Sequence, residues 1–194
     1  MITETAARTK RIIGIDPGRT HDPAAIVGIT WSPADGIMIR HASQHVGMSY
    51  DTLAHRHVRP LCQSVLPHYV AVETNNEGHA CLAAIRRAGV TGARGVATTG
   101  AMDPWRRSRS PYAMDKPYMV SWMRERLRGG RLRLPPKGHS RYADLLCTQI
   151  QDISSYQQLS GSTAYRARLG RHDDLWMAAM LACHVAARLE GEMA

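Results

Sequence analysis

The chain is predicted to adopt an α/β fold with a mixed sheet flanked by helices. Short apolar runs rich in β-branched residues, bounded by Gly, Pro or acidic residues, recur along its 194 residues and predict strands. The first three runs are joined by tight connections, which favours an antiparallel meander. The later runs alternate with amphipathic helical stretches, and this alternation is typical of an α/β arrangement.

Strands are predicted at residues 11–15, 24–31, 37–46, 69–73, 92–97 and 131–134. The first strand is brief and ends at Asp16-Pro17-Gly18. Pro17 cannot continue a hydrogen-bonded ladder, and Gly18 tolerates the turn that reverses the chain. A turn at residues 32–36 separates the second strand from the third.

Helices are predicted at residues 50–66, 76–88, 115–128, 141–153 and 172–189. Apolar side chains recur at roughly helical spacing in these segments, and the first keeps this spacing despite Pro60. Asn75 or Asn76 would be a good N-cap for the second helix, which should end at Gly89.

The remaining segments predict connections within one folded unit. Residues 98–112 are basic and rich in Gly, Pro and Ser, so we expect a surface loop. Residues 156–168 predict a hairpin that turns near Gly161-Ser162. Residues 1–10 predict a flexible leader, and residues 11–190 then form a single domain.

The composition excludes several classes of protein. The hydrophobic fraction of 44% and the charged fraction of 21% are those of a globular protein, and no apolar run approaches the length of a membrane span. No Cys-x-x-Cys pair occurs, so the four cysteines predict free thiols in a reducing compartment. The pairs His41/His45 and His55/His57 lack a second pair at zinc-finger spacing, and we interpret them as solvated or packed side chains.

The net charge is the first indication of function. The formal charge of +9 and the pI near 9.9 suit a polyanionic partner, for which phosphate contacts supply most of the sequence-independent affinity. Solubility alone explains the charge equally well.

Acidic residues stand at the ends of two predicted strands and at the start of the last helix. Asp16 and Glu73 end strands, whereas Asp173 and Asp174 lie in the first turn of the helix. Taken singly, they are explained as solvated strand ends and as helix capping. If they converge, their charges repel one another unless a divalent cation neutralises them, and hard oxygen ligands select Mg²⁺ or Mn²⁺. Two such ions about 3.5–4 Å apart would support phosphodiester cleavage.

Three motifs together resemble the nuclease domain of the large terminases of tailed phages. They are Gly14-Ile15-Asp16-Pro17-Gly18, Glu73-Thr74-Asn75-Asn76-Glu77-Gly78 and His172-Asp173-Asp174-Leu175, and the likeness runs from residue 11 to residue 187. The resemblance implies a ribonuclease H-like (RuvC-type) fold with a β-hairpin before the C-terminal helix. It also implies that Asp16, Glu73 and Asp173 hold the metal ions, with Asp174 as a further ligand or as a neighbour of one.

By the same resemblance, the chain is expected to be an endonuclease that cuts concatemeric viral DNA during genome packaging. Double-stranded DNA, a packaging ATPase, the small terminase and the portal are the implied partners, in the cytoplasm of the bacterial host and without a membrane. The chain has no Gly-x4-Gly-Lys-Ser/Thr motif to bind a triphosphate. We therefore expect either an excised domain or a nuclease encoded separately from the motor.

Basic residues in the second half of the chain are predicted to contact DNA phosphates. Arg106, Arg107 and Arg109 are interleaved with Trp105 and Tyr112 in the predicted loop. Further candidates are Lys116, Arg166 and Arg168. A nuclease that cuts many sequences needs backbone contacts more than base contacts, although solvated arginines on a basic protein would look the same.

Three other functions fit parts of the pattern. A RuvC-like Holliday junction resolvase, or another nuclease on the same fold, would use the same acids. A DNA-binding module of the packaging machine without catalysis is disfavoured by the intact acidic set. An actin-like ATPase is disfavoured by the short length and by the lack of a second phosphate-binding glycine-rich turn.

Overall fold

The structure is a computed structural model that describes residues 9–18, 22–100, 112–157, 163–167 and 173–191. The strands are β1 (Lys10–Asp16), β2 (Ala24–Ser32), β3 (Gly36–His45), β4 (Tyr69–Glu73), β5 (Ala93–Thr99), β6 (Ala113–Asp115), β7 (Leu132–Arg133), β8 (Ile153–Gln157) and β9 (Thr163–Ala167). The helices are α1 (Tyr50–Leu53), α2 (Arg59–Val65), α3 (Gly78–Arg87), α4 (Lys116–Arg128), α5 (Arg141–Asp152) and α6 (Asp174–Leu189). One π-helical turn (Ala54–Val58) joins α1 to α2.

The main sheet is mixed and has seven strands in the described part of the chain, in the order β6-β5-β4-β1-β2-β3-β7. Strands β1, β2 and β3 form the antiparallel meander that the sequence predicted. Strands β4, β5 and β6 extend the sheet in parallel from β1, and β7 pairs in parallel with β3. Strands β8 and β9 form a separate antiparallel pair immediately before α6. The prediction of a mixed sheet with a hairpin ahead of the last helix is confirmed.

Each face of the sheet is covered by a different set of helices. Side chains alternate along a strand, so Ile12 faces the core that contains α4 and α6 while Ile13 faces the core that contains α1 and α3. Helix α6 is buried along nearly its whole length, in keeping with its Ala-rich and Met-rich sequence. The central strands are therefore buried on both faces, and the residues that end them project from the core of the molecule.

The start of helix α3 differs from the prediction. The helix begins at Gly78, and its N-cap position is held by Glu77, whose side chain makes no capping hydrogen bond. Asn75 is not a cap, because its amide donates to the Thr98 carbonyl at 2.7 Å and accepts from the Thr98 N–H at 2.9 Å. Asn76 adopts a left-handed conformation with φ of 53°. The side chain of Asn75, which the sequence predicts as a cap for the helix, is therefore hydrogen-bonded to strand β5 instead.

Other boundaries shift by a few residues. The last helix begins at residue 174 and not at 172, and strand β5 extends to residue 99. Strand β6, three residues long, was not predicted because its sequence is too short to show an alternating pattern. The paired hairpin strands begin at residue 153, directly after α5, and the predicted turn near Gly161 lies outside the described residues. Residues 1–8 of the predicted leader also lie outside them.

Two predictions from composition can be compared with the structure. All four cysteines are free: Cys62, Cys81, Cys147 and Cys183. Among the described helices, none combines the length and the apolar character that crossing a bilayer requires.

Candidate functional site

Asp16 and Glu73 end neighbouring strands of the sheet. Strand β1 runs parallel to β4, with Ile15 paired to Val72, and Asp16 and Glu73 are the next residue of each strand. Adjacent strands lie about 4.8 Å apart. Both carboxylates lie on the face of the sheet that carries α6, because the alternation places Asp16 with Ile12 and Glu73 with Ala71. The sheet therefore holds these two acids side by side.

Helix α6 brings the third acidic position to the same place. The helix packs directly on β1 at Gly14, where an added β-carbon would stand 2.7 Å from the Ala182 nitrogen and would collide with the Ala178 carbonyl oxygen. Asp174, Ala178 and Ala182 are spaced by four residues and share one face of the helix. Asp174 consequently lies on the sheet-facing side and is only 8% exposed.

One cavity of about 310 Å³ is lined by all four predicted metal ligands: Asp16, Glu73, Asp173 and Asp174. The other lining residues are Pro17, Gly18, Asp22, Asn75, Asn76, Glu77, Thr98, Lys116 and Met177. The structure thus brings together residues that are remote in sequence. Both members of the Asp173-Asp174 pair reach the cavity, from different sides of the helix start.

The two strand-end carboxylates have specific hydrogen-bond donors. The Gly18 N–H donates to Oδ1 of Asp16 at 3.0 Å, which closes the turn after β1. The Thr98 hydroxyl donates to Oε1 of Glu73 at 2.6 Å, from the neighbouring strand β5. Each acid is therefore oriented by a group that belongs to a strand or to the turn beside it.

The two helix-start carboxylates have donors from other elements. Nε2 of Gln44, on β3, donates to Oδ2 of Asp174 at 3.2 Å. Nζ of Lys116, the first residue of α4, lies 3.4 Å from Oδ2 of Asp173. Asp173 occupies the N-cap position, but its side chain makes no capping hydrogen bond. Ordinary capping therefore does not explain the presence of Asp173.

The electrostatics of the cavity are those of crowded carboxylates. Burial raises the pKa of Asp16 well above its usual range, and the carboxylates of Glu73, Asp174 and Asp173 raise it further, whereas the hydrogen bond from Gly18 lowers it. Negative charge in this cavity is therefore unfavourable without a compensating cation.

The donor set fits a hard divalent cation. The described residues that line the cavity offer carboxylate, amide and hydroxyl oxygens and include no cysteine or histidine, which suits Mg²⁺ or Mn²⁺ better than zinc. Among the described residues, no three acidic, histidine or cysteine side chains are already close enough together to hold one ion. The carboxylates therefore line the cavity without forming a ready-made ion cage.

Some residues of the site were not found from the sequence. Gln44 carries no motif; its place follows only from the register, in which Asp16 pairs with Ala25 and Ala25 pairs with Gln44 across β1, β2 and β3. Thr98 was assigned to a loop but lies in β5, where its hydroxyl reaches Glu73. In both cases the residue is placed at the site by the pairing of distant strands, and no local sequence pattern indicates that pairing.

The predicted DNA contacts are only partly described. Lys116 lines the acidic cavity, where its Nζ lies beside Oδ2 of Asp173. The backbone of Arg166 lies in strand β9. The remaining candidates lie outside the described residues: Arg106, Arg107, Arg109 and Arg168.

His41, His45 and His57 are not among the residues that line the acidic cavity. The rings of His45 and His57 stack with centroids 3.8 Å apart, and Nε2 of both His41 and His45 lies 3.1 Å from the Ser43 hydroxyl. These contacts, with His55 exposed, agree with the interpretation of the two pairs as solvated or packed side chains.

Comparison with known proteins identifies relatives of this arrangement. The family model of the terminase RNase H-like domain matches residues 13–185. No curated protein sequence shows significant similarity to the chain.

Solved structures of phage large terminases are similar in fold. The large terminase nuclease of thermophilic phage G20c with bound magnesium has a TM-score of 0.68 and 18% identity, over 90% of this chain and 80% of that one. The large terminase of bacteriophage HK97 has a TM-score of 0.66 and 11% identity, over 93% of this chain and 40% of that one. The nuclease domain of the bacteriophage SPP1 large terminase with bound Mn has a TM-score of 0.51 and 12% identity, over 94% of this chain and 90% of that one. With the family match, these similarities establish the ribonuclease H-like fold.

Proposed function

The chain belongs to the terminase RNase H-like domain family, and we propose that it is a metal-dependent DNA endonuclease that acts in viral genome packaging. The observation that carries the proposal is the cavity lined together by Asp16, Glu73, Asp173 and Asp174. An acidic cavity on a chain of net charge +9 suits a hydrolase that binds polyanionic DNA and recruits cations to a local acidic centre.

The proposed metal centre uses these four carboxylates to hold Mg²⁺ or Mn²⁺, with two ions as the full complement. Structures of related large terminase nucleases contain magnesium or Mn. Bound ions would supply an activated water and charge neutralisation for in-line attack on phosphorus. Within the chain, Asp16 and Glu73 provide ligands on rigid strand ends, and Asp173 and Asp174 provide ligands from the start of α6. Lys116, beside Asp173, would attract the scissile phosphate to the cavity.

Substrate and partners follow from the same assignment. We propose double-stranded DNA as substrate, cut with little sequence preference, and a packaging ATPase, the small terminase and the portal as partners in the host cytoplasm. Within the chain, residues 11–190 would form the nuclease domain. The chain covers 40% of the HK97 large terminase, so the functions of the rest of a large terminase would be supplied from outside the matched region.

Plasmid cleavage tests the proposal. Supercoiled plasmid should be nicked and linearised with Mn²⁺ or Mg²⁺ and left intact with EDTA. Asp16→Ala, Glu73→Ala and Asp173→Ala should each abolish cleavage while leaving the circular dichroism spectrum unchanged. Glu125→Ala, which changes an exposed acid on α4 outside the cavity, is the matched control and should cut normally. Full activity in one of the three variants would remove that residue from the site.

Substrate choice separates the proposed activity from its nearest rival. A terminase nuclease should cut linear and supercoiled duplexes, whereas strong preference for four-way junctions would indicate a resolvase.

DNA binding measured as a function of salt concentration tests the predicted loop that carries the three arginines. If Arg106, Arg107 and Arg109 bind phosphates, replacing all three with Gln should reduce the slope of log K against log salt by about 0.9 for each phosphate that is no longer neutralised.

A further inference from the structure

Two glutamines outside the predicted motifs bind the start of helix α6, where the two aspartates stand. Gln44 comes from strand β3 and Gln149 from helix α5. Neither residue is acidic and neither lines the cavity. Their contacts, taken with the conformation of Asp173, indicate what they do.

Gln149 performs the capping that Asp173 does not. An aspartate at the N-cap ordinarily accepts a hydrogen bond from the N–H of the second or third helical residue. Here the third residue is Trp176, and its N–H donates to Oε1 of Gln149 at 3.0 Å in a buried position. The backbone of Asp173 has φ of −126° and ψ of 16°, outside the extended conformation usual for a capping residue. Its carboxylate is thereby left to face the cavity.

Gln44 holds the other aspartate. It lies in the same row of the sheet as Asp16, two strands away, with Ala25 between them. Its amide donates to Oδ2 of Asp174 at 3.2 Å. Since a hydrogen bond to one carboxylate oxygen restricts rotation of the whole group, the other oxygen keeps a defined direction.

We propose that Gln44 and Gln149 are positioning residues that keep the carboxylates of Asp174 and Asp173 available to a divalent cation. The inference rests on the proposed function, because it assigns roles around the same metal centre. Partners of metal-ligating groups typically change metal affinity by about 10–100-fold when they are removed. Gln149 acts by occupying the helix N–H that would otherwise compete for Asp173, and Gln44 acts by fixing the rotamer of Asp174.

Mn²⁺ binding to the DNA-free protein tests the proposal, with calorimetry as the readout. Gln44→Met and Gln149→Met keep the side-chain length and remove the polar group, and each should bind Mn²⁺ about 10-fold more weakly than wild type. Gln151→Met, two residues further along α5 at an exposed position, is the matched control and should bind as wild type does. Gln149→Glu retains an acceptor for the Trp176 N–H and should recover affinity relative to Gln149→Met.

Cleavage kinetics give a second readout. In both Met variants the Mn²⁺ concentration for half-maximal cleavage should rise about 10-fold, while the rate at saturating Mn²⁺ stays near that of wild type. Unchanged Mn²⁺ affinity in folded Gln44→Met and Gln149→Met proteins, even with a lowered melting temperature, would assign the glutamines a purely structural role and overturn the inference.

The outcomes also separate this inference from the proposed function. If wild type binds Mn²⁺ and the variants bind it equally well, only the positioning role is overturned. If wild type binds no Mn²⁺ at all, the metal-dependent nuclease proposal fails, and the inference fails with it.

Discussion

Gly14 of strand β1 lies directly beneath Ala178 of helix α6, so closely that a β-carbon on Gly14 would collide with the Ala178 carbonyl oxygen. This contact sets the distance between the helix and the sheet. Asp174 lies one helical turn before Ala178, and Asp16 lies two residues after Gly14. The glycine therefore determines how near the helix-start acids come to the strand-end acids.

Gly14→Ala should separate helix from strand. The added methyl group forces α6 outward, and overpacking of this kind costs about 1–3 kcal/mol of unfolding free energy. Urea denaturation should show this loss, and calorimetry should show weaker Mn²⁺ binding because Asp174 moves away from Asp16. Gly92→Ala is the control, since a β-carbon there meets no atom within 4 Å. Equal stability of the two variants would contradict the packing argument.

Thr98→Val should weaken metal binding with little effect on stability. Valine has nearly the shape of threonine and suits strand β5, but it lacks the hydroxyl that donates to Glu73 at 2.6 Å. A Glu73 carboxylate that is free to rotate should raise the Mg²⁺ concentration for half-maximal plasmid cleavage by about 10-fold. Thr99→Val removes a hydroxyl that instead donates to the carbonyls of Gly100 and Met114, and we expect it to leave the metal requirement unchanged.

Asp16→Asn should make the metal-free protein more stable. The variant should no longer gain stability when metal is added. Burial and neighbouring carboxylates raise the pKa of Asp16, so the ionised group opposes folding as the pH rises above the ordinary range of an aspartate. At pH 7 in EDTA, the melting temperature of Asp16→Asn should exceed that of wild type by about 2–4 °C for each kcal/mol relieved. With excess Mn²⁺ the order should reverse, because the ligand binds the folded wild type. A lower melting temperature in EDTA would argue against electrostatic crowding.

His45 should make the fold sensitive to acid. Burial lowers the pKa of His45 to about 4, and the neighbouring His57 and His41 add to the effect. The unfolded chain takes up this proton near pH 6.5, so stability that is present above pH 6.5 is lost as the pH falls toward 4. In His45→Gln, the difference between urea midpoints at pH 7 and pH 5 should shrink. His139→Gln, at an exposed position before α5, should retain the wild-type difference.

Local sequence pattern was sufficient for most of the secondary structure. Residues 69–73 were predicted as a strand and are strand β4, because a short β-branched run between breakers has few alternatives. The helix predicted at residues 115–128 is α4 with Asp115 as its N-cap, whose side chain accepts from the Tyr118 N–H at 2.9 Å. Prediction failed at Asn75, where a partner 23 residues away outcompeted the local capping role.

The sequence by itself determined the fold class, the family and the acidic residues worth considering, since hydrophobic period, turn residues and short motifs are all local properties. Only the tertiary structure decided that Asp16 and Glu73 are register neighbours and that α6 lies close enough for Asp173 and Asp174 to share their cavity. It alone placed Gln44, Thr98 and Gln149 on the carboxylates and on the helix start. The physical reason is that strand register and helix-to-sheet distance depend on contacts between distant segments, which nothing in a local pattern encodes.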